Sequence, residues 1–131
     1  MKRYLREEGS DTVRPLFRKK VAVSAVSGIE VPAALWRRAR EGDVSEARAR
    51  ALVKQVVQDL GEMIVVEVRR SVIERSRELV ARHSLRAYDA VQLACATLLA
   101  ERAETPVTFI CADHRLCDVA VAEQLRSMNV G

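Results

Sequence analysis

The sequence predicts an α/β fold with a mostly parallel sheet. Three observations carry this: short runs of β-branched residues recur along the chain, stretches of helical periodicity long enough to cross over separate them, and glycines and capping residues mark the junctions. The runs are Val21-Ala22-Val23-Ser24, Met63-Ile64-Val65-Val66-Glu67-Val68 and Val107-Thr108-Phe109-Ile110-Cys111. They read as largely buried strands.

Helices fill the gaps at 26–41, 45–60, 71–82, 87–102 and 114–124. Pro32 lies inside the first and removes one backbone donor, so that helix either starts after it or kinks there. Asp43-x-x-Glu46 and Ser71-x-x-Glu74 have the spacing of capping boxes opening the second and third helices. Gly42 and Gly61 stand where the chain must turn left-handed after the helices they close. Helices on both faces of the sheet follow from the alternation, although three strands make a thin sheet.

The chain has 131 residues without a Pro/Gly/Ser linker or internal repeat, so one domain spanning 1–131 is expected. Its core needs no metal or disulfide staple at this length. The stretches poorest in charge, Ala90–Ala100 and Ser24–Ile29 with their flanks, fall short of the roughly 18 residues of a membrane span. Met1–Glu8 carries charges where a signal peptide needs an apolar run. A cytoplasmic protein without a membrane partner is the expectation. Cys95, Cys111 and Cys117, odd in number and each in an apolar segment, then read as reduced thiols. No C-x-x-C pair or His pair at zinc spacing occurs, which disfavours a zinc site or a cysteine-based redox protein. Glycines at 9, 28, 42, 61 and 131 are too far apart for a phosphate-cradling loop. The net charge of +4, from 22 basic and 18 acidic residues interspersed, is compatible with RNA. Five aromatics are too few to tile a base-stacking surface.

Most acids sit among arginines, as Glu74 and Glu78 do beside Arg75 and Arg77, and read as solvated helix faces. Three differ. Glu30 has no other charge within six residues, so its carboxylate is costly unless something compensates it. Asp89 opens a strongly apolar helix, and Asp113 follows directly after the strand ending at Cys111. Each has a structural alternative: Glu30 an ion pair buried with an arginine, Asp89 a first-turn acid at the helix dipole, Asp113 an N-cap. Ligands of open α/β sheets bind outside the carboxyl ends of the strands. Three carboxylates converging there repel unless a cation shares the site, and oxygen-only ligands select Mg²⁺ or Mn²⁺.

Three segments carry a resemblance: Val23–Leu35 around Glu30, Leu85-Arg86-Ala87-Tyr88-Asp89-Ala90-Val91-Gln92-Leu93-Ala94, and Phe109-Ile110-Cys111-Ala112-Asp113-His114-Arg115-Leu116. In this order of acids the chain resembles the PIN-domain ribonucleases, specifically the VapC-type toxins of bacterial toxin–antitoxin pairs. The resemblance implies a PIN-like α/β/α sandwich, Mg²⁺-dependent cleavage of RNA, a homodimer and an inhibiting antitoxin protein. It makes Glu30, Asp89 and Asp113 catalytic metal ligands, the second, third and fourth acids of a quartet; Asp118 stays unassigned. Arg86 and Arg115, each within three residues of a proposed ligand, are candidates to hold the RNA backbone. Family members begin with a strand ending in Asp-x-Ser, then a helix leading into a segment like Tyr4–Ser10. Measured against them, the first central strand and first acid are missing, and a misassigned start at Met1 accounts for this. In-frame codons upstream test that account, which a stop codon before any Asp-x-Ser overturns. Two functions follow: a metal-dependent endoribonuclease toxin, or a truncated, inactive PIN-like module that still binds an antitoxin or dimerises.

Overall fold

A computed structural model describes residues 20–131. The segment Tyr4–Ser10, likened above to the one that the family's first helix leads into, lies outside the described residues. The chain forms two compact units, one ending at Glu67 and one beginning at Val68.

In the first unit the order is β1 (Ala22–Ser24), α1 (Ser27–Arg40), α2 (Glu46–Leu60) and β2 (Ile64–Val66). The β-branched runs form a parallel pair, with Ala22, Val23 and Ser24 opposite Ile64, Val65 and Val66. Buried Ser24 ends β1, and its Oγ accepts from the Val26 amide at 3.3 Å, turning the chain into α1. That helix starts at Ser27, ahead of Pro32, which it carries in its second turn with one backbone bond fewer. The α1–α2 hairpin buries Leu35 and Val56 among Val31, Leu52, Val53 and Leu60.

Two junctions differ from their sequence prediction. Ser45, not Asp43, caps α2: its extended backbone aims Oγ at the Arg48 amide at 3.1 Å, while Asp43 pairs with Arg38 at 3.6 Å. Gly42 does take the left-handed conformation, at φ +83°, but Gly61 has φ −64° and any residue could adopt it.

In the second unit the order is α3 (Arg70–Arg82), α4 (Ala87–Arg102), β3 (Thr108–Cys111), α5 (His114–Ala122) and β4 (Arg126–Asn129). The Ser71 capping box does not form, because α3 begins one residue earlier, with Arg69 at its cap position and no side-chain cap bond. Val72, Ser76 and Leu79, spaced four and three apart, are its buried stripe. Ser76 satisfies its hydroxyl on the Val72 carbonyl at 2.7 Å. Helix α4 packs beside α3 and buries Ala90, Leu93, Ala94, Cys95 and Thr97. Arg75 crosses between the two helices, donating to Thr97 Oγ1 at 3.1 Å and to Glu101 at 2.7 Å.

Strands β3 and β4 run parallel, Phe109 opposite Ser127 and Ile110 opposite Met128. The pattern of β-branched residues does not reveal β4: Arg126-Ser127-Met128-Asn129 contains none, and pairing with β3 creates the strand. Gln124, at φ 66°, makes the turn that lets the chain leave α5 for β4. The single sheet expected from sequence is thus realised, among the described residues, as two parallel pairs, one in each unit. The α/β class holds, with helices between short parallel strands.

Candidate functional site

Asp113 follows β3 by two residues and is the N-cap of α5. Its Oδ1 accepts from the Arg115 amide at 2.8 Å and the Leu116 amide at 3.3 Å. Capping fixes the carboxylate at the N-terminal end of α5. Both bonds go to Oδ1, so Oδ2 remains the oxygen that can meet a ligand.

Asp89 stands in the first turn of α4, half-buried. Burial pushes its carboxyl above the ordinary carboxylate range, the Asp113 charge adds to that, and the Arg86 cation opposes it. Asp89 and Asp113 line one cavity of about 330 Å³ together with Tyr88, Gln92, Phe109 and Cys111. Gln92 lies one helical turn beyond Tyr88, and its Nε2 donates to the Tyr88 hydroxyl. The acids that sequence singled out at 89 and 113 therefore meet in one cleft.

Glu30 belongs to the first unit, in the first turn of α1, and is exposed. The ion pair buried with an arginine is corrected: an exposed carboxylate keeps its water and needs no buried partner. Among the described residues no group of three or more His, Cys, Asp or Glu side chains is gathered as a metal ion would require. Asp118 pairs with His114 at 3.5 Å on the exposed side of α5. The Arg86 and Arg115 side chains are exposed, close in sequence to the two acids.

Cys111 and Cys117 correct the reading of reduced thiols, since a disulfide joins them across a Cα–Cα distance of 6.1 Å. The end of β3 and the first turn of α5 double back on each other, bringing the two side chains into bonding range around Asp113. Cys95, buried in α4, forms no disulfide.

A larger cavity, about 460 Å³, opens between α3, α4 and the α5–β4 turn. Its charges satisfy one another: Arg75 lies 2.7 Å from Glu101 and 3.4 Å from Glu78, and Arg82 pairs with Glu123. The Glu101 carboxyl, hydrogen-bonded by Arg75, is held below its ordinary range. Ion pairs thus account for the charges that line this cavity.

Sequence reasoning missed Tyr88, Gln92 and Phe109. The signal was present for one of them: Gln92 lies three residues after Asp89, on the helix face that Asp89 occupies.

The α/β chain thus brings two carboxylates into one cleft, one of them pushed above its ordinary range. The sequence model of the PIN domain family matches residues 3–122, and this chain belongs to that family. A comparison with curated proteins gives no match. PIN domains are in general nucleases and typically use divalent metals, so nuclease-type function is the class in which this chain falls.

Proposed function

We propose that the chain is a metal-dependent endoribonuclease toxin of a toxin–antitoxin pair, hydrolysing RNA phosphodiesters. The observation that supports it best is the shared cleft of Asp89 and Asp113, in which Asp89 resists ionisation without a compensating cation. Two carboxylates supplemented by water suit Mg²⁺ or Mn²⁺, which bind through few protein oxygens. Asp113 is already oriented by its cap bonds, and Asp89 is held by the rigid first turn of α4. Glu30 is assigned as a further metal-ligating acid, the second of the quartet, on the resemblance of its sequence segment.

When bound, the cation supplies Lewis acidity, activating water and offsetting charge on the phosphate. The protein's part is positioning: Asp89 and Asp113 would hold the cation, and Arg86 and Arg115 would take the flanking phosphates. The partners that go with this reading are an inhibiting antitoxin and a second copy of the chain.

One observation favours a second reading, an inactive PIN-like module that binds an antitoxin or dimerises: the described residues gather no third metal-ligating side chain. Cleavage of RNA with Mg²⁺ or Mn²⁺, with chelator, and by Asp89→Asn decides between them. Metal-dependent cutting lost in Asp89→Asn establishes the nuclease. A folded chain that cuts nothing under these conditions establishes the module.

A further inference from the structure

Cys111 ends β3, Cys117 stands in the first turn of α5, and Asp113, the N-cap of that helix, lies between them. Their disulfide, spanning six residues, therefore closes a small ring of chain around Asp113. Cys111 also lines the cavity that holds Asp89 and Asp113, so the bond joins the wall of the cleft to the helix that Asp113 caps. The corner has other ties. The Cys117 amide donates to the Asp113 carbonyl at 3.1 Å, and the Val130 amide donates to the Cys111 carbonyl at 2.9 Å. Cys111, Leu116 and Cys117 pack in one apolar cluster with Leu85 and Phe109. A thiol at Cys117 has an acceptor in reach, the Cys111 carbonyl 3.7 Å from its Sγ. These ties hold the fold in either redox form, and the form decides how tightly the end of α5 is pinned.

We infer that the Cys111–Cys117 bond is a redox switch on the cleft: intact, it clamps Asp113 beside Asp89, and reduction by a dithiol loosens the helix end that carries Asp113. Without the bond, two amide hydrogen bonds at a helix terminus orient the carboxylate, and helix termini are where local opening is least costly. The cleft gives the reductant its way in, because Cys111 is on its wall. A thiolate of the dithiol attacks Cys111 Sγ, the S–S bond breaks with its electron pair leaving on Cys117 Sγ, and a mixed disulfide links the reductant to Cys111. The reductant's second thiol then displaces Cys111 and closes a disulfide of its own. The chain gains two electrons and two protons, the dithiol loses them, and an excess of a small disulfide reverses the exchange. Groups that hold a metal ligand in place typically change metal affinity about ten- to a hundredfold when lost, so the reduced chain binds a divalent cation more weakly. That consequence rests on the nuclease reading, and Cys111 and Cys117 are in it positioning residues that act through Asp113.

The test compares the air-oxidised full chain with the same chain reduced by dithiothreitol, which is then removed under nitrogen. In chelator, amide hydrogen exchange at Arg115, Leu116 and Cys117 is expected to speed up at least about tenfold on reduction, while amides of α1 in the first unit change less than about twofold. By calorimetry the Kd for Mn²⁺ is expected to rise about tenfold on reduction. Oxidised glutathione is expected to restore both. Cys117→Ser is expected to match the reduced chain with or without dithiol, and the two forms of the wild type carry the test if that variant does not fold. Equal exchange in the two forms, or a speeding of the same size in both units, overturns the switch. So does a loosened helix end with the same Mn²⁺ affinity in both forms. Loosening confined to the end of α5 with no Mn²⁺ binding by either form supports the clamp and overturns the metal site alone.

Discussion

Asp113 caps α5 with one oxygen and raises the carboxyl of Asp89, in the first turn of α4, with its charge. The two acids are thus unequal. One accepts two amide hydrogen bonds at a helix N-terminus, and the other is pushed toward its protonated form, first by burial and then by its neighbour.

Asp89 therefore destabilises the fold once it is ionised. Its folded-state pKa lies above the unfolded value, so the native chain binds more protons in that window and stability falls as pH rises through it. Below the unfolded value both states are protonated and Asp89 has no effect. Asp89→Asn is expected to melt at higher temperature than the wild type at pH 7 in chelator, with the gap closing as pH drops below 4. Thermal melts across pH measure this; a variant less stable at pH 7 contradicts it.

Asp113 combines two roles that substitution can separate. Asparagine caps a helix about as well as aspartate, so Asp113→Asn is expected to keep the bonds to the Arg115 and Leu116 amides and change stability little. Asp113→Ala loses the cap, at a cost of about 0.5–2 kcal/mol. Both variants are expected to lose RNA cleavage. Denaturant unfolding with parallel cleavage assays gives the comparison, and an active Asp113→Asn leaves the residue a structural cap alone.

How far the sequence led can be judged from these acids. Asp89 stood out because it opens a strongly apolar helix and Asp113 because it follows directly after a strand, and the two line one cleft. Helices α1 to α5 were legible for the same kind of reason, since their apolar stripes recur at helical spacing. β4 was not: Arg126-Ser127-Met128-Asn129 has no strand pattern, and the partner strand β3 makes it one. The Asp43 and Ser71 caps were misread because capping depends on which residue adopts extended backbone, and motif spacing does not fix that. For Glu30, isolation from other charges implied burial, yet α1 leaves it exposed.

The disulfide around Asp113 predicts a labelling pattern. In denaturant without reductant, iodoacetamide is expected to modify one thiol per chain, Cys95. After reduction by a dithiol it is expected to modify three, as Cys111 and Cys117 are released. Intact mass distinguishes the two states. Three labelled thiols without reductant in protein purified under air show that the bond does not form.

Metal binding can be read from stability without any RNA. A ligand that binds only the folded chain stabilises it by RT ln(1 + [L]/Kd), about 2.7 kcal/mol at a hundredfold excess over Kd. Mn²⁺ is expected to raise the wild-type melting temperature in a saturable way, and chelator to reverse it. The gain is expected to disappear in Asp89→Asn, where relief of the Asp89–Asp113 repulsion is no longer available to a cation. Glu30→Gln asks whether the first unit supplies a ligand. Being exposed, Glu30 has little effect on stability in chelator, so a weaker Mn²⁺ response in that variant measures its contribution to binding. An undiminished response removes Glu30 from the metal site and leaves Asp89 and Asp113 as its acids. No Mn²⁺ response by the wild type removes the metal site itself.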